Sequence, residues 1–127
     1  MSHQKAGMLI ATLFLARDLA HREHLKVTGV GSYAVHDGAT KPFYDEIIPL
    51  ADTLAEAYMG WFNVELDIPL ATQDGDLSII DTLAGQLDYI HEERYNAIPR
   101  DVTCLHNLVD EIELLYAQTL FKLRRLQ

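Results

Sequence analysis

Apolar residues recur along this chain at intervals of three and four, the period of a helix. The pattern predicts helices and no strands. The first helix spans residues 4–26. Its apolar positions (Met8, Leu9, Ile10, Leu13, Phe14, Leu15, Leu19 and Leu25) go round almost the whole helical wheel. A helix apolar on all sides is covered on more than one, whereas a four-helix bundle buries one face of each helix. The surplus predicts a partner chain. Thr28-Gly29-Val30-Gly31 then breaks the pattern. A second helix spans 43–61, with Phe43, Ile47, Leu50, Leu54, Ala57 and Trp61 as its stripe. Pro42 suits an early helical position with Thr40 as a candidate cap, and Pro49 removes a helical hydrogen bond and predicts a kink. A start nearer Tyr33 stays open, with Gly38 and Pro42 arguing for a break.

Residues 62–76 read as a connection, marked by Pro69 and the Asp74-Gly75-Asp76 turn. The third helix, 77–96, turns Ile80, Leu83, Leu87 and Ile90 inward, and Ser78 followed by Asp81 is a capping signal. Pro99 ends that region. The fourth helix, 101–126, buries Leu105, Leu108, Ile112, Leu115 and Leu123. Two helix pairs, each with its own linker, predict an all-α antiparallel four-helix bundle in up-down order, a single domain over residues 1–127.

Composition narrows what such a bundle does. At 127 residues, 49% apolar and 23% charged, the chain supports one real core without disulfides or a structural metal. Cys104 has no internal partner for a disulfide, which fits a reducing, cytoplasmic location, and it reads as a small buried apolar residue. With 19 acids against 10 Lys plus Arg, the net charge of −9 opposes binding to a polyphosphate. DNA is therefore not an expected partner. Lys122, Arg124 and Arg125 suit the negative end of a helix dipole. Lys5 followed by residues 6–16 imitates a short leader peptide, yet the apolar spacing runs on through Leu19, Ala20 and Leu25 as in a folded helix. The run is about half the ~20 residues a membrane span needs.

Several polar residues on the helices are candidates for chemistry. Asp52 and Glu56 are four apart and project from one face of the second helix, roughly opposite Phe43. Ile48, Ala55 and Met59 share that side, which suits an interface better than an open solvated face. His24 lies near the end of the first helix, and His36 stands twelve residues later, beyond the glycine turn.

The order His24-Leu-Lys-Val-Thr-Gly29, then Tyr33-Ala-Val-His36, then Asp52-Thr-Leu-Ala-Glu56 resembles the Dps family of mini-ferritins. Leu54-Ala55-Glu56 is similar to the apolar-Ala-Glu step of that family, and Gly60 falls where its glycine-rich helix end falls. The likeness covers the first two helices well and the last two by helical pattern alone. It implies a ferritin-like fold and a ferroxidase that takes iron. Its site would be shared across a dimer interface, His24 and His36 of one chain facing Asp52 and Glu56 of a twofold mate. Imidazole and carboxylate suit Fe(II) and leave positions open for an oxidant. The implied partners are a metal ion and further copies of the chain, as a dimer or a larger shell, with no membrane. The compact chain is also similar to small ferritin-like proteins encoded by tailed phages.

The sequence departs from the family at named points. Leu25 stands where an aromatic usually follows the first histidine, and Thr40 where an acid is common. One residue more than usual separates His36 from Asp52. The basic tail that some members use on DNA is reduced to Lys5, and the connection between the second and third helices leaves little room for an extra helix. A second constellation competes: Asp18 with His21 and Asp88 with His91 have the spacing of bundle-centre di-metal sites, with a shorter acid and no matching pair of lone glutamates. His106, Asp110 and Glu113 share a face of the fourth helix that reads as solvated. The alternative to an iron oxidase is a non-catalytic helical module that uses the same outer face for protein assembly.

Overall fold

The stripes fold as four α-helices in a computed structural model that describes residues 2–73 and 76–125, the His36 side chain excepted. They are α1 (Gln4–Lys26), α2 (Lys41–Phe62), α3 (Ile79–Ala97) and α4 (Thr103–Arg125). Among the described residues there is no strand, and no helix is long and apolar enough to cross a membrane. Asp74 and Gly75 of the predicted turn, and Leu126 at the end of the last predicted helix, lie outside the described residues.

Local chemistry accounts for the boundaries. Gly29 and Gly31 take φ of 91° and 86°, the left-handed region that glycine enters without a Cβ penalty. Ser78 caps α3 by accepting from the Asp81 N–H at 3.0 Å, as the capping signal requires. The break expected at Gly38 and Pro42 is instead a π-helical turn, Ala34–Thr40, that runs straight into α2. Pro42 brings no N–H to the Gly38 carbonyl, so the α-helical ladder is interrupted there. Wider i→i+5 pairing carries the helix through, and the Thr40 hydroxyl donates to the Val35 carbonyl at 2.9 Å.

The helices form a square in which α1 packs on α2 and α3, and α4 packs on the same two. Among the described residues no Cα of α2 comes within 8 Å of one in α3, nor any of α1 within 8 Å of α4. Side-chain pairs set the directions. His3, just before α1, meets Tyr58 near the end of α2, its Nδ1 2.6 Å from the phenol oxygen. Lys5 reaches Glu93 near the end of α3 at 3.8 Å. Phe43, early in α2, packs edge-on against Tyr116, late in α4. The Tyr116 hydroxyl in turn donates to Gln86 of α3 at 2.9 Å. Every touching pair is thus antiparallel, while α2 and α3 run parallel on a diagonal.

That topology departs from the simple up-down order, because the connection 63–78 climbs the length of the bundle. At ~3.3 Å per residue it reaches ~50 Å when extended, against ~29 Å for a helix as long as α3. It lies on α1 at Gly7, buries Leu66, and is pinned to α3 by Gln73 Nε2 donating to Thr82 Oγ1 at 3.0 Å. Higher up, Ala71, Thr72 and Gln73 share a groove of about 330 Å³ with Met8, Thr12 and Leu15. Leu66 of the crossover packs over Ala6, Leu9 and Ile10 of α1, so part of that helix is covered by the chain itself, while Met8 on the groove stays exposed. Phe14 and Leu25 keep 38% and 75% of their surface exposed.

In the core, α2 buries Phe43, Ile47, Ala51, Leu54 and Tyr58. The stripe is rotated from the expected one, with Leu50 and Ala57 at its edge and Trp61 outside it, 59% exposed. Cys104, expected inside, is exposed, since its neighbour Leu105 takes the inward position. Tyr116 is fully buried, and burial pushes its phenol well above the ordinary value of about 10. A group raised in the folded state contributes stability that is whole below its unfolded pKa and is lost as pH climbs towards the folded one. Tyr116→Phe is therefore expected to flatten the alkaline fall in stability by about 1.4 kcal/mol per pH unit above pH ~10. Denaturant midpoints taken between neutral pH and pH ~11.5 measure this; parallel curves for both proteins would show that Tyr116 does not contribute.

Candidate functional site

The candidate residues on α1 and α2 occupy two levels of the bundle. His24, in the last turn of α1, is partly exposed and sets its ring edge-on to Tyr44, centroids 5.6 Å apart. His21, one turn earlier, lies 4.7 Å from the same ring and 6.4 Å from His24. Tyr44, in the first turn of α2, thus organises both histidines, a role no spacing rule would have flagged. His36 lies on the π-helical turn, and its side chain lies outside the described residues.

Asp52 and Glu56 are exposed on the outer face of α2. Ala55 beside them is 6% exposed, and Ile48 and Met59 are half-buried against the core. Asp52 stands eight positions beyond Tyr44, ~12 Å along the helix axis. A single chain therefore does not bring the two carboxylates to His24. Among the described residues no three His, Cys, Asp or Glu side chains lie close enough to share a metal ion. Thr40, where the resembled family carries an acid, is 1% exposed, with its hydroxyl turned to the Val35 carbonyl. Between His36 and Asp52 the chain passes through the π-helical turn, which holds about one residue more per turn than an α-helix.

The competing D-x-x-H pairs do not point into the bundle. Asp18 bridges Arg22 at 2.8 Å, and His21 faces Tyr44. Asp88 and His91 are exposed, with His91 Nδ1 3.0 Å from Glu113. The buried polar side chains are Thr40, Thr82, Gln86, Arg94, His106 and Thr119. No carboxylate lies among them, so the described interior lacks the donor set of a bundle-centre di-metal site.

The face of α4 that reads as solvated is open at Asp110, but it is half-buried at Glu113 and buried at His106, where it forms a polar hub with Arg94. Arg94, 4% exposed, sits on the inward stripe of α3 between Ile90 and Ala97. It donates to Glu113 at 2.8 Å, to the His106 carbonyl at 2.7 Å and to His106 Nδ1 at 3.2 Å, and bridges Asp110 at 2.8 Å. Since Nδ1 accepts from Arg94, the His106 proton is on Nε2, which donates to the Ile98 carbonyl at 3.1 Å. Burial disfavours the guanidinium charge, but its bonds to the Asp110 and Glu113 carboxylates outweigh that and raise the Arg94 pKa. A charged residue on an apolar stripe was the available sign of this hub. Over it lies an open groove of about 530 Å³ lined by Leu87, Asp88, His91, Asp110, Glu113, Leu114 and Ala117.

No known family, curated protein or solved structure matches the chain in comparisons of sequence and structure.

Proposed function

We propose that the chain is a ferritin-like protomer, similar to the Dps mini-ferritins, that takes Fe(II) as its substrate and oxidises it between two copies. The observation that carries this reading is the crossover 63–78. It makes α2 and α3 parallel diagonal helices, and a bundle with one long crossover is the ferritin-like alternative to the up-down arrangement. Two further features support it. Among the described residues no carboxylate is buried, which favours a His and carboxylate site on the surface or between chains. The π-helical turn also gives the additional residue after His36 a local place. In this reading His24 and His36 of one chain meet Asp52 and Glu56 of its mate, the imidazoles holding Fe(II) and the carboxylates favouring the Fe(III) product. Dioxygen or peroxide is the electron acceptor.

The test is Fe(II) oxidation followed by absorbance for the wild type, His24→Ala and Glu56→Ala. Each variant alone is expected to lose at least about tenfold in rate. Co-assembled in equal amounts, the two variants should recover about a quarter of the wild-type rate, since half of the dimers then carry one intact site of two. Equal rates in all three proteins would refute the reading. The burial of Thr40 favours a second reading, a non-catalytic assembly module, because its hydroxyl is turned to a backbone carbonyl where the family offers an acid. That reading requires an iron-oxidation rate no greater than the buffer's.

A further inference from the structure

The outward face of α4 carries a pattern that the bundle itself does not use. Leu114 and Phe121 are each 60% exposed. Seven residues apart, they lie on one line along the helix. Ala117 and Gln118, between them, are exposed as well. At 100° per residue, Glu111, Lys122 and Arg125 fall on one flank of this line, and Asp110 and Arg124 on the other. Acids thus precede the apolar stripe and bases follow it on both flanks, with the midpoint between Ala117 and Gln118. The helix dipole explains why bases gather in the last turn, but it does not place exposed apolar residues between them and the acids.

We propose that this stripe pairs antiparallel with α4 of a second copy of the chain, about a twofold axis at Ala117 and Gln118. Such an axis sets Leu114 against Phe121 of the other copy. It also brings like flanks together, so that Glu111 faces Lys122 and Arg125, and Asp110 faces Arg124. The face is complementary to itself in both shape and charge, which an isologous contact requires. Asp110 keeps 57% of its side chain exposed while bridging Arg94, so it remains accessible to a second cation. The charge pattern selects this occupant: a parallel pairing would set acid against acid and base against base. One helix pair is at the small end of specific interfaces, so the contact is expected to form and dissociate in the micromolar range. It lies on the opposite side of the bundle from α1, the diagonal helix, and is independent of any site on the α1 and α2 face.

Sedimentation of the full chain across the micromolar range tests the pairing. Phe121→Glu is expected to weaken association roughly hundredfold, since each dimer loses two apolar contacts and gains two unpaired charges. Lys122→Glu with Arg125→Glu should weaken it at least about tenfold, and adding Glu111→Lys, which then faces two acids, should restore it to within about threefold of wild type. If the α1 and α2 face also associates, the wild type will exceed a dimer and Phe121→Glu will reduce it to one. Thermal melts confirm that each variant is folded, which the exposure of these residues predicts. A wild type that stays monomeric, a mass indifferent to Phe121→Glu, or a triple variant no better than Lys122→Glu with Arg125→Glu would each overturn the proposal.

Discussion

Arg94→Ala is expected to destabilise the bundle by about 3–5 kcal/mol, the cost of stripping one partner from a buried ionic network. That is a large share of the ~5–15 kcal/mol that holds a domain of this kind together. Arg94 joins α3 to α4 through four polar contacts, to Glu113, Asp110, the His106 ring and the His106 carbonyl. Truncation leaves Glu113, whose side chain is 18% exposed, facing a void without its cation. His106 loses the donor at Nδ1 and keeps its bond from Nε2 to Ile98. Arg94→Lys keeps the charge but not the planar fork, so it should fall between alanine and wild type. Denaturant midpoints measure all three proteins. The coupling is checked by adding Glu113→Gln to each background: that change should cost far less where Arg94 is already alanine. Additive losses would mean that the two side chains do not act as a unit.

Legibility in the sequence followed physical range. The boundaries of α1, and the Ser78 cap of α3, depend on contacts within a turn or two, and the spacing of apolar and capping residues reports those contacts directly. The path of 63–78 depends on which helices lie beside it. Val64, Leu66 and Ile68 alternate with Glu65 and Asp67, the period of an extended segment covered on one side, and burial follows it. That alternation is the sign of a crossover, but it does not say which helices the segment lies beside. The surplus apolar surface of α1 points to a missing cover, and the crossover supplies part of it at Leu66. Trp61 failed for a related reason. Apolar residues on one edge of a stripe count the same as those at its centre until the neighbouring helices fix the rotation.

The candidate site was legible as residue types and not as geometry. His24, Asp52 and Glu56 lie on partly or fully exposed surfaces of α1 and α2, but their mutual distances depend on the symmetry of an assembly, which one chain's spacing does not encode. Tyr44, packed on both His21 and His24, went unnoticed because an aromatic early in a helix is an ordinary residue until it is seen between two imidazoles. The π-helical turn was half visible. Gly38 and Pro42 announced an irregularity, and the additional residue before Asp52 said that something had to absorb it. Wider pairing of the backbone does so without breaking the helical path from Ala34 into α2.

Gly7→Ala and Gly85→Ala should move stability in opposite directions. Both glycines lie inside helices, where alanine is ordinarily favoured by about 1 kcal/mol. Gly85, in α3, is exposed and has open space where a Cβ would go, so that gain should appear in full. A Cβ on Gly7 would run into the carbonyl oxygen of Asp67, a backbone atom of the crossover. Backbone cannot swing aside as the end of a side chain does. The segment has to lift, and lifting it uncovers Leu66 and loosens Ile68 from the core. Overpacking of this kind costs about 1–3 kcal/mol, more than the helical gain returns over most of that range. Denaturant midpoints read the sign, and limited proteolysis reads the cause: in Gly7→Ala, cleavage within 63–78 should accelerate while cleavage elsewhere does not. If Gly7→Ala stabilised the chain as Gly85→Ala does, the crossover would not lie on α1. The parallel diagonal of α2 and α3 would then lose its physical basis, and the ferritin-like reading would lose its main support.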